Sequence, residues 1–250
     1  MIPKVIHYIW LGGKPLPKIA EKCIASWKKF CPDYEIKRWD ETNVDINFCD
    51  YSKQAYEAKK FAFTADALRF DILYKCGGIY LDIDVELIAS LDKFLTDKAI
   101  MGFENEKAIA PGLILACEKG NPVIKDILDM YCKDKFILEN GEMNLETICE
   151  KVTNYLLKYG LVLNNQNQNV LDFSLYSSEY FCPKSVTDGK IRKTKNTVAI
   201  HHYFGSWQTK SNKFKARILQ FIKRILGEKN VQKLKEKRNK RNESSSSSSK

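Results

Sequence analysis

Residues 77–87 read Gly77-Gly78-Ile79-Tyr80-Leu81-Asp82-Ile83-Asp84-Val85-Glu86-Leu87. The two glycines stop a long helical stretch, and the aliphatic, β-branched run after them predicts a strand over Ile79–Leu87. Alternation along that strand puts Ile79, Leu81, Ile83, Val85 and Leu87 on one face and Tyr80, Asp82, Asp84 and Glu86 on the other. Asp82 and Asp84 then project side by side, roughly 7 Å apart. Like charges so placed are costly unless a cation lies between them, and oxygen ligands suit Mn²⁺ or Mg²⁺. A bare D-x-D also fits an exposed, half-polar edge strand, so its neighbours decide the reading.

The preceding stretch, Lys53–Cys76, reads as one long helix. With Phe61 at zero and 100° per residue, Thr64, Asp71 and Lys75 gather at about 300°, the expected solvent side. Asp66 falls at about 140° and Arg69 at about 80°, among Phe61, Ala65, Leu68 and Ile72 on one side and Phe63, Ala67 and Phe70 on the other. Charged side chains in such company are paired or ligand-bound. Either Asp66 and Arg69 form a private ion pair, or the helix delivers Arg69 to a phosphate and Asp66 to a hydroxyl beside the D-x-D. A planar guanidinium suits the second task.

Outward from this core, Val5–Leu11 reads as a buried first strand, Ile19–Phe30 as a helix and Tyr34–Trp39 as a second strand. Ile100–Phe103 and Leu113–Ala116 are further strands; Pro122–Cys132 and Leu145–Tyr159 are helices. Asn164–Asn169 is a polar loop, and Phe181 and Val198–His202 suggest short late strands. Helices alternating with strands predict an α/β, Rossmann-like nucleotide-binding sheet. Trp10 closes the first strand and can stack on a nucleobase or sit in the core; His7 reads as structural or as a rim contact. His201 and His202, two of three histidines, are candidate metal ligands or an accidental surface pair.

The chain has 250 residues and a net charge of +10, but Lys210–Lys250 alone hold 14 basic and 3 acidic residues. The remaining 27 basic and 28 acidic residues leave the globular part near neutral, so no nucleic-acid groove is expected. The expected organisation is one domain over residues 1–209, a basic amphipathic helix over 210–243, and a disordered serine-rich end over 244–250. That helix either contacts an anionic membrane or docks on the domain. The eight cysteines show no C-x-x-C pair and read as reduced thiols. No leader or apolar run of spanning length is evident, which predicts a cytoplasmic protein.

The run Ala65-Asp66-Ala67-Leu68-Arg69-Phe70-Asp71-Ile72-Leu73-Tyr74-Lys75-Cys76-Gly77-Gly78-Ile79-Tyr80-Leu81-Asp82-Ile83-Asp84 resembles the signature of the D-x-D sugar-binding glycosyltransferases of family 32. That family includes capsular polysaccharide enzymes and outer-chain mannosyltransferases, and is distantly similar to large glucosylating bacterial toxins. Residues 2–12, Ile2-Pro3-Lys4-Val5-Ile6-His7-Tyr8-Ile9-Trp10-Leu11-Gly12, resemble its first block. Residues 201–207, His201-His202-Tyr203-Phe204-Gly205-Ser206-Trp207, resemble its last.

The resemblance implies a GT-A-like fold, a divalent cation, usually Mn²⁺, and retaining hexosyl transfer from a nucleotide sugar to a saccharide. It implies that Trp10 stacks on the base, that Asp66 and Arg69 hold ribose, sugar or phosphate, and that Tyr80 lines the donor pocket. Asp82 would contact ribose and the metal sphere, Asp84 would ligate the metal, and His201 or His202 would complete the site. Ser206 and Trp207 would form a lid on the diphosphate. Ala110-Pro111-Gly112 stands where the family pattern leads one to expect an asparagine.

A UDP-sugar is expected ahead of GDP-mannose, with a lipid-linked oligosaccharide acceptor in capsule or lipopolysaccharide assembly at the inner membrane face. Two rivals remain. Asp82 and Asp84 could serve a haloacid-dehalogenase-like phosphatase, although that motif normally follows a domain's first strand. Alternatively, the basic tail could be the main feature of a non-catalytic RNA- or membrane-binding protein.

Overall fold

The computed structural model describes residues 1–185 and 188–205. The chain begins with β1 (Val5–Ile9), α1 (Lys18–Phe30), β2 (Glu35–Trp39), α2 (Asp50–Glu57), α3 (Phe61–Cys76) and β3 (Gly78–Tyr80). Next come β4 (Val85–Leu87), β5 (Ala99–Asn105), β6 (Ala108–Ile109), β7 (Leu115–Cys117), α4 (Pro122–Lys133) and α5 (Ile148–Leu157). The last elements are β8 (Gln168–Val170), β9 (Phe173–Tyr176), α6 (Ser178–Phe181) and β10 (Ala199–His201).

The main sheet has the order β2-β1-β3-β7-β5-β9-β8, with β6 paired to β5, while β4 pairs with β10 in a separate ribbon. β1 is parallel to β2 and β3. β7 is antiparallel to β3 and β5, so β5 points the same way as β3, and β9 is parallel to β5. Five strands thus bring their carboxyl ends to one sheet edge, where open α/β sheets bind ligands. This is the expected mixed α/β sheet flanked by helices.

Alternation along the strands feeds two apolar layers. Tyr80 and Met101 join α3, α4 and α5 on one face, whereas Ile79 and Ile100 join α1 and α6 on the other. α4 is capped by Asn121, whose side chain accepts from the Val123 and Ile124 N–H groups. α5 begins with a Thr147/Glu150 capping box.

The stretch Lys53–Cys76 is two helices rather than one, broken where Lys59 takes a φ of 57°. α3 also lacks the expected solvent side: Thr64 and Asp71 are buried, because α2 and α4 flank the helix while β3 and β7 lie against it. Of the three residues expected in water, only Lys75 reaches it, and it pairs with Asp71 at 2.7 Å. α3 ends at Gly77, whose φ of 64° requires a residue without Cβ and whose N–H reaches the Leu73 carbonyl at 2.7 Å.

Phe181 lies in α6, not in a strand, and buries its ring against Phe94 and Tyr176. β6, β8 and β9 were not anticipated; the polar loop gives its last two residues to β8. Asn165 and Asn167 of that loop accept from the Ser178 and Ser177 N–H groups.

Among the described residues no helix is long and apolar enough to cross a membrane. Residues 1–183 and 193–205 are the described part of one compact unit. In the other, Lys184 bridges Ile191 and Arg192 Nη2 pairs with Asp188 at 2.6 Å. The 209/210 boundary, the basic helix and the serine-rich end lie outside the described residues.

Candidate active site

The predicted Ile79–Leu87 strand is interrupted within the D-x-D. β3 ends at Tyr80, the chain turns with the Val85 N–H donating to the Asp82 carbonyl at 3.0 Å, and β4 then pairs with β10. The Leu81 N–H is held by the His7 carbonyl at 3.1 Å and the Asp82 N–H by the Gly112 carbonyl at 3.0 Å. A continuous strand would keep the two carboxylates roughly 7 Å apart. The turn instead gathers one ligand atom each from Asp82, Asp84 and His201 within 4.8 Å of one another.

β10 supplies the third member. His201 Nε2 stands 3.3 Å from Asp84 Oδ1, and Asp84 Oδ2 accepts the Phe204 N–H at 2.6 Å. His202 is positioned differently: its Nε2 lies 2.7 Å from Glu86 Oε2, which also pairs with Lys22 at 2.9 Å. Successive residues leaving a strand diverge, so only His201 joins the two aspartates.

α3 contributes the cationic wall. Arg69 Nη2 donates to Asp66 Oδ1 at 2.6 Å, and Arg69 Nη1 faces Asp82 Oδ1 at 3.4 Å. The ion pair therefore exists without being private. Nη1 is buried and has no hydrogen bond, so this nitrogen keeps donor capacity beside the carboxylates. Tyr80 lies beneath, its ring 4.4 Å from the guanidinium carbon and its hydroxyl donating to Asp82 Oδ1 at 2.9 Å.

Burial pushes the Asp66 carboxyl up to about 7, against the opposing charge of Arg69. Burial likewise pushes Asp82 up, opposed by Arg69. Asp84 behaves otherwise: burial works against its charge, but His201 and the Phe204 N–H hold it below the usual carboxylate range. Burial by itself would lower His201, yet Asp84, helped by Cys182, carries it up to about 10.

Two carboxylates and an imidazole form a donor set that fits a divalent cation. Their ligand atoms lie within 4.8 Å of one another, against ~4.2 Å at most between two ligands held at ~2.1 Å from one ion.

Trp10 leaves the same sheet edge one strand away, with the His7–Tyr80 pair marking the register. Its Nε1 donates to the Lys14 carbonyl at 2.6 Å, and the half-buried ring packs on the α1-side layer. His7 is structural: Nε2 donates to the Gly77 carbonyl at 2.9 Å while Nδ1 accepts from Trp39 Nε1 at 3.0 Å. Burial lowers it to about 4, which keeps the ring neutral. Ser206 and Trp207 lie outside the described residues.

The sequence reading noted Ala110-Pro111-Gly112 but missed that Gly112 packs directly on Asp82. Pro111-Gly112 signals only a turn, and residues remote in sequence give no periodic signal.

An acidic, imidazole-bearing cluster beside a buried guanidinium at the carboxyl edge of an α/β sheet has the residue types to hold a divalent cation and an anionic ligand. Residues 17–101 match the family described as the glycosyltransferase sugar-binding region containing DXD motif, so over that segment the chain is similar to that family. This match displaces the phosphatase alternative.

The chain is 31% identical over 134 residues to inositol phosphoceramide mannosyltransferase 3 of Schizosaccharomyces pombe, covering 51% of this chain and 36% of that protein. It is 25% identical over 199 residues to an uncharacterized glycosyltransferase of Acanthamoeba polyphaga mimivirus, covering 76% of each. A solved structure, PaToxG glycosyltransferase, is 23% identical with a TM-score of 0.49, covering 63% of this chain and 69% of that chain. The chain thus spans about a third of the mannosyltransferase's length.

Proposed function

We propose that this chain is a retaining, divalent-cation-dependent glycosyltransferase that moves a hexose from a nucleotide sugar to a saccharide acceptor in cell-surface polysaccharide assembly. The observation that carries the proposal is the Asp82, Asp84 and His201 cluster with the donor-bearing Arg69 Nη1 beside it.

Asp82, Asp84 and His201 hold the cation in this reading, with His201 giving up its proton to do so. Once bound, the cation supplies Lewis-acid neutralisation of the charge that grows on the departing nucleoside diphosphate. Arg69 keeps its planar fork pinned to Asp66 and donates from Nη1 to a phosphate oxygen. Tyr80 fixes the Asp82 carboxylate, and the Trp10 ring offers a flat face to the base. Little covalent chemistry is asked of the chain: it orients donor and acceptor and excludes water from the reacting sugar carbon. Retention of the anomeric configuration rests on the family resemblance.

The test is a thermal-shift screen of UDP- and GDP-sugars with Mn²⁺, since a ligand that binds the native state stabilises it. One donor class should raise Tm, and EDTA should abolish the rise. NMR of the transferred sugar reads the anomer. A protein that no nucleotide sugar stabilises, and that hydrolyses none, sinks the proposal. UDP-sugars remain the first expectation, and the mannosyltransferase named above supports including GDP-mannose.

The +11 segment Lys210–Lys250 is proposed as a peripheral membrane contact, on its lysines, arginines and spaced apolar residues. Truncation at Lys210 should abolish binding to anionic vesicles and preserve transfer. Loss of salt-sensitive RNA binding instead would favour the nucleic-acid alternative.

A further inference from the structure

Gly112 lies between β6 and β7, next to Pro111, and its carbonyl accepts the Asp82 N–H at 3.0 Å. Its φ is outside the left-handed region, so the backbone itself does not require glycine. The neighbouring carboxylate does. A Cβ at this position would stand 2.1 Å from Asp82 Oδ2, 2.9 Å from Asp82 Cγ and 3.5 Å from Arg69 Nη1.

The segment around Gly112 is pinned. The Ala110 N–H reaches the Gly102 carbonyl at 3.0 Å and the Leu113 N–H reaches the Ala110 carbonyl at 3.1 Å. The other Asp82 oxygen, Oδ1, is held by the Tyr80 hydroxyl at 2.9 Å and faces Arg69 at 3.4 Å. An added methyl group therefore meets a fixed loop on one side and a side-chain carboxylate on the other. The carboxylate is what yields, and rotating it breaks its hydrogen bond from Tyr80 and its ion pair with Arg69.

We propose that Gly112 is a positioning residue of the active site: its missing side chain is the space in which Asp82 Oδ2 turns toward the cation. The inference rests on the cation-dependent reading above and extends it to a residue that touches no substrate.

The experiment measures Mn²⁺ binding directly, by loss of the free-Mn²⁺ electron paramagnetic resonance signal, in wild type, Gly112→Ala, Asp82→Ala and the double variant. Gly112→Ala is expected to weaken Mn²⁺ about 10- to 100-fold, the range for residues that orient a metal ligand. In the Asp82→Ala background the same glycine change should alter Mn²⁺ affinity less than about twofold, because the clashing group is gone.

Should Gly112→Ala fail to fold while the double variant folds, the clash with Asp82 is still demonstrated. The inference is overturned if Gly112→Ala binds Mn²⁺ like wild type, if the two effects multiply, or if the double variant also fails to fold while Asp82→Ala folds. A different result strikes the reading beneath it: wild type that takes up no Mn²⁺, or an Asp84→Asn variant that takes it up equally.

Discussion

Asp84 and Asp66 are both buried carboxylates, 6% and 9% exposed, yet they are held in opposite ways. Asp84 sits in a turn against an imidazole and a backbone N–H, and these keep it ionised. Asp66 sits inside a helix that is covered nearly all round, with one guanidinium for company, and burial pushes it up to about 7. Burial raises both carboxyls, and the donors around each decide whether that push is overcome, as it is at Asp84 and not at Asp66. In the proposed function the turn concentrates negative charge for a cation, while the helix uses the Asp66 carboxylate to aim Arg69.

The largest expected effect lies on the turn side. Asp84→Asn keeps the shape and removes the charge, and should lower transfer on the order of 10³-fold with an unchanged circular dichroism spectrum. Transfer at the wild-type rate would abolish the distinction between the two regions.

On the helix side, Arg69→Met should cost about 10²-fold in kcat/KM, the scale for losing one charge-stabilising donor. Arg69→Lys should recover only part of it, because an ammonium cannot reproduce the fork between Asp66 and Asp82.

A smaller effect is expected for Asp66→Asn, about tenfold in donor KM, with a clear signature in stability. The folded protein keeps a proton on Asp66 up to about pH 7, whereas the unfolded chain loses it near the ordinary value of 3.8. Between these limits the native state binds more protons, so stability falls as pH rises through that window. Thermal unfolding at pH 5 and pH 8 should show a narrower difference in Asp66→Asn than in wild type. An equal difference would sink the assignment.

The smallest effect separates the neighbouring histidines. His202→Gln should change transfer less than about threefold and stability within ~0.5 kcal/mol, as its partner Glu86 also has Lys22. His201→Gln should instead weaken Mn²⁺ binding measurably. Identical behaviour of the two variants would erase the difference that the geometry draws between them.

Much of this comparison was legible along the chain. Asp66 and Arg69 stood out because helical periodicity put charges among Phe61, Leu68 and Phe70, and Asp82 and Asp84 because a charged pair interrupted an aliphatic run. The error lay in extending that run: period-two alternation cannot reveal that Val85 abandons β3's sheet for β10. Thr64 and Asp71 misled for a similar reason, since a helical wheel ranks faces and knows nothing of α2 and α4 closing over the polar one. β8 and β9 escaped notice because three- and four-residue strands carry too few alternations to signal.

The sequence by itself determined the alternation of helices and strands, the Gly77 stop, and the residue types needed for a cation and a phosphate. These are local properties of propensity, period and charge. Only the tertiary structure decided that His201 rather than His202 joins Asp82 and Asp84, that Arg69 faces Asp82 while paired with Asp66, and that Gly112 leaves room for a carboxylate. Each of these is a contact between different elements of the fold or a choice between adjacent side chains. Such choices depend on where the sheet's strand order carries the chain, which no single stretch of residues encodes.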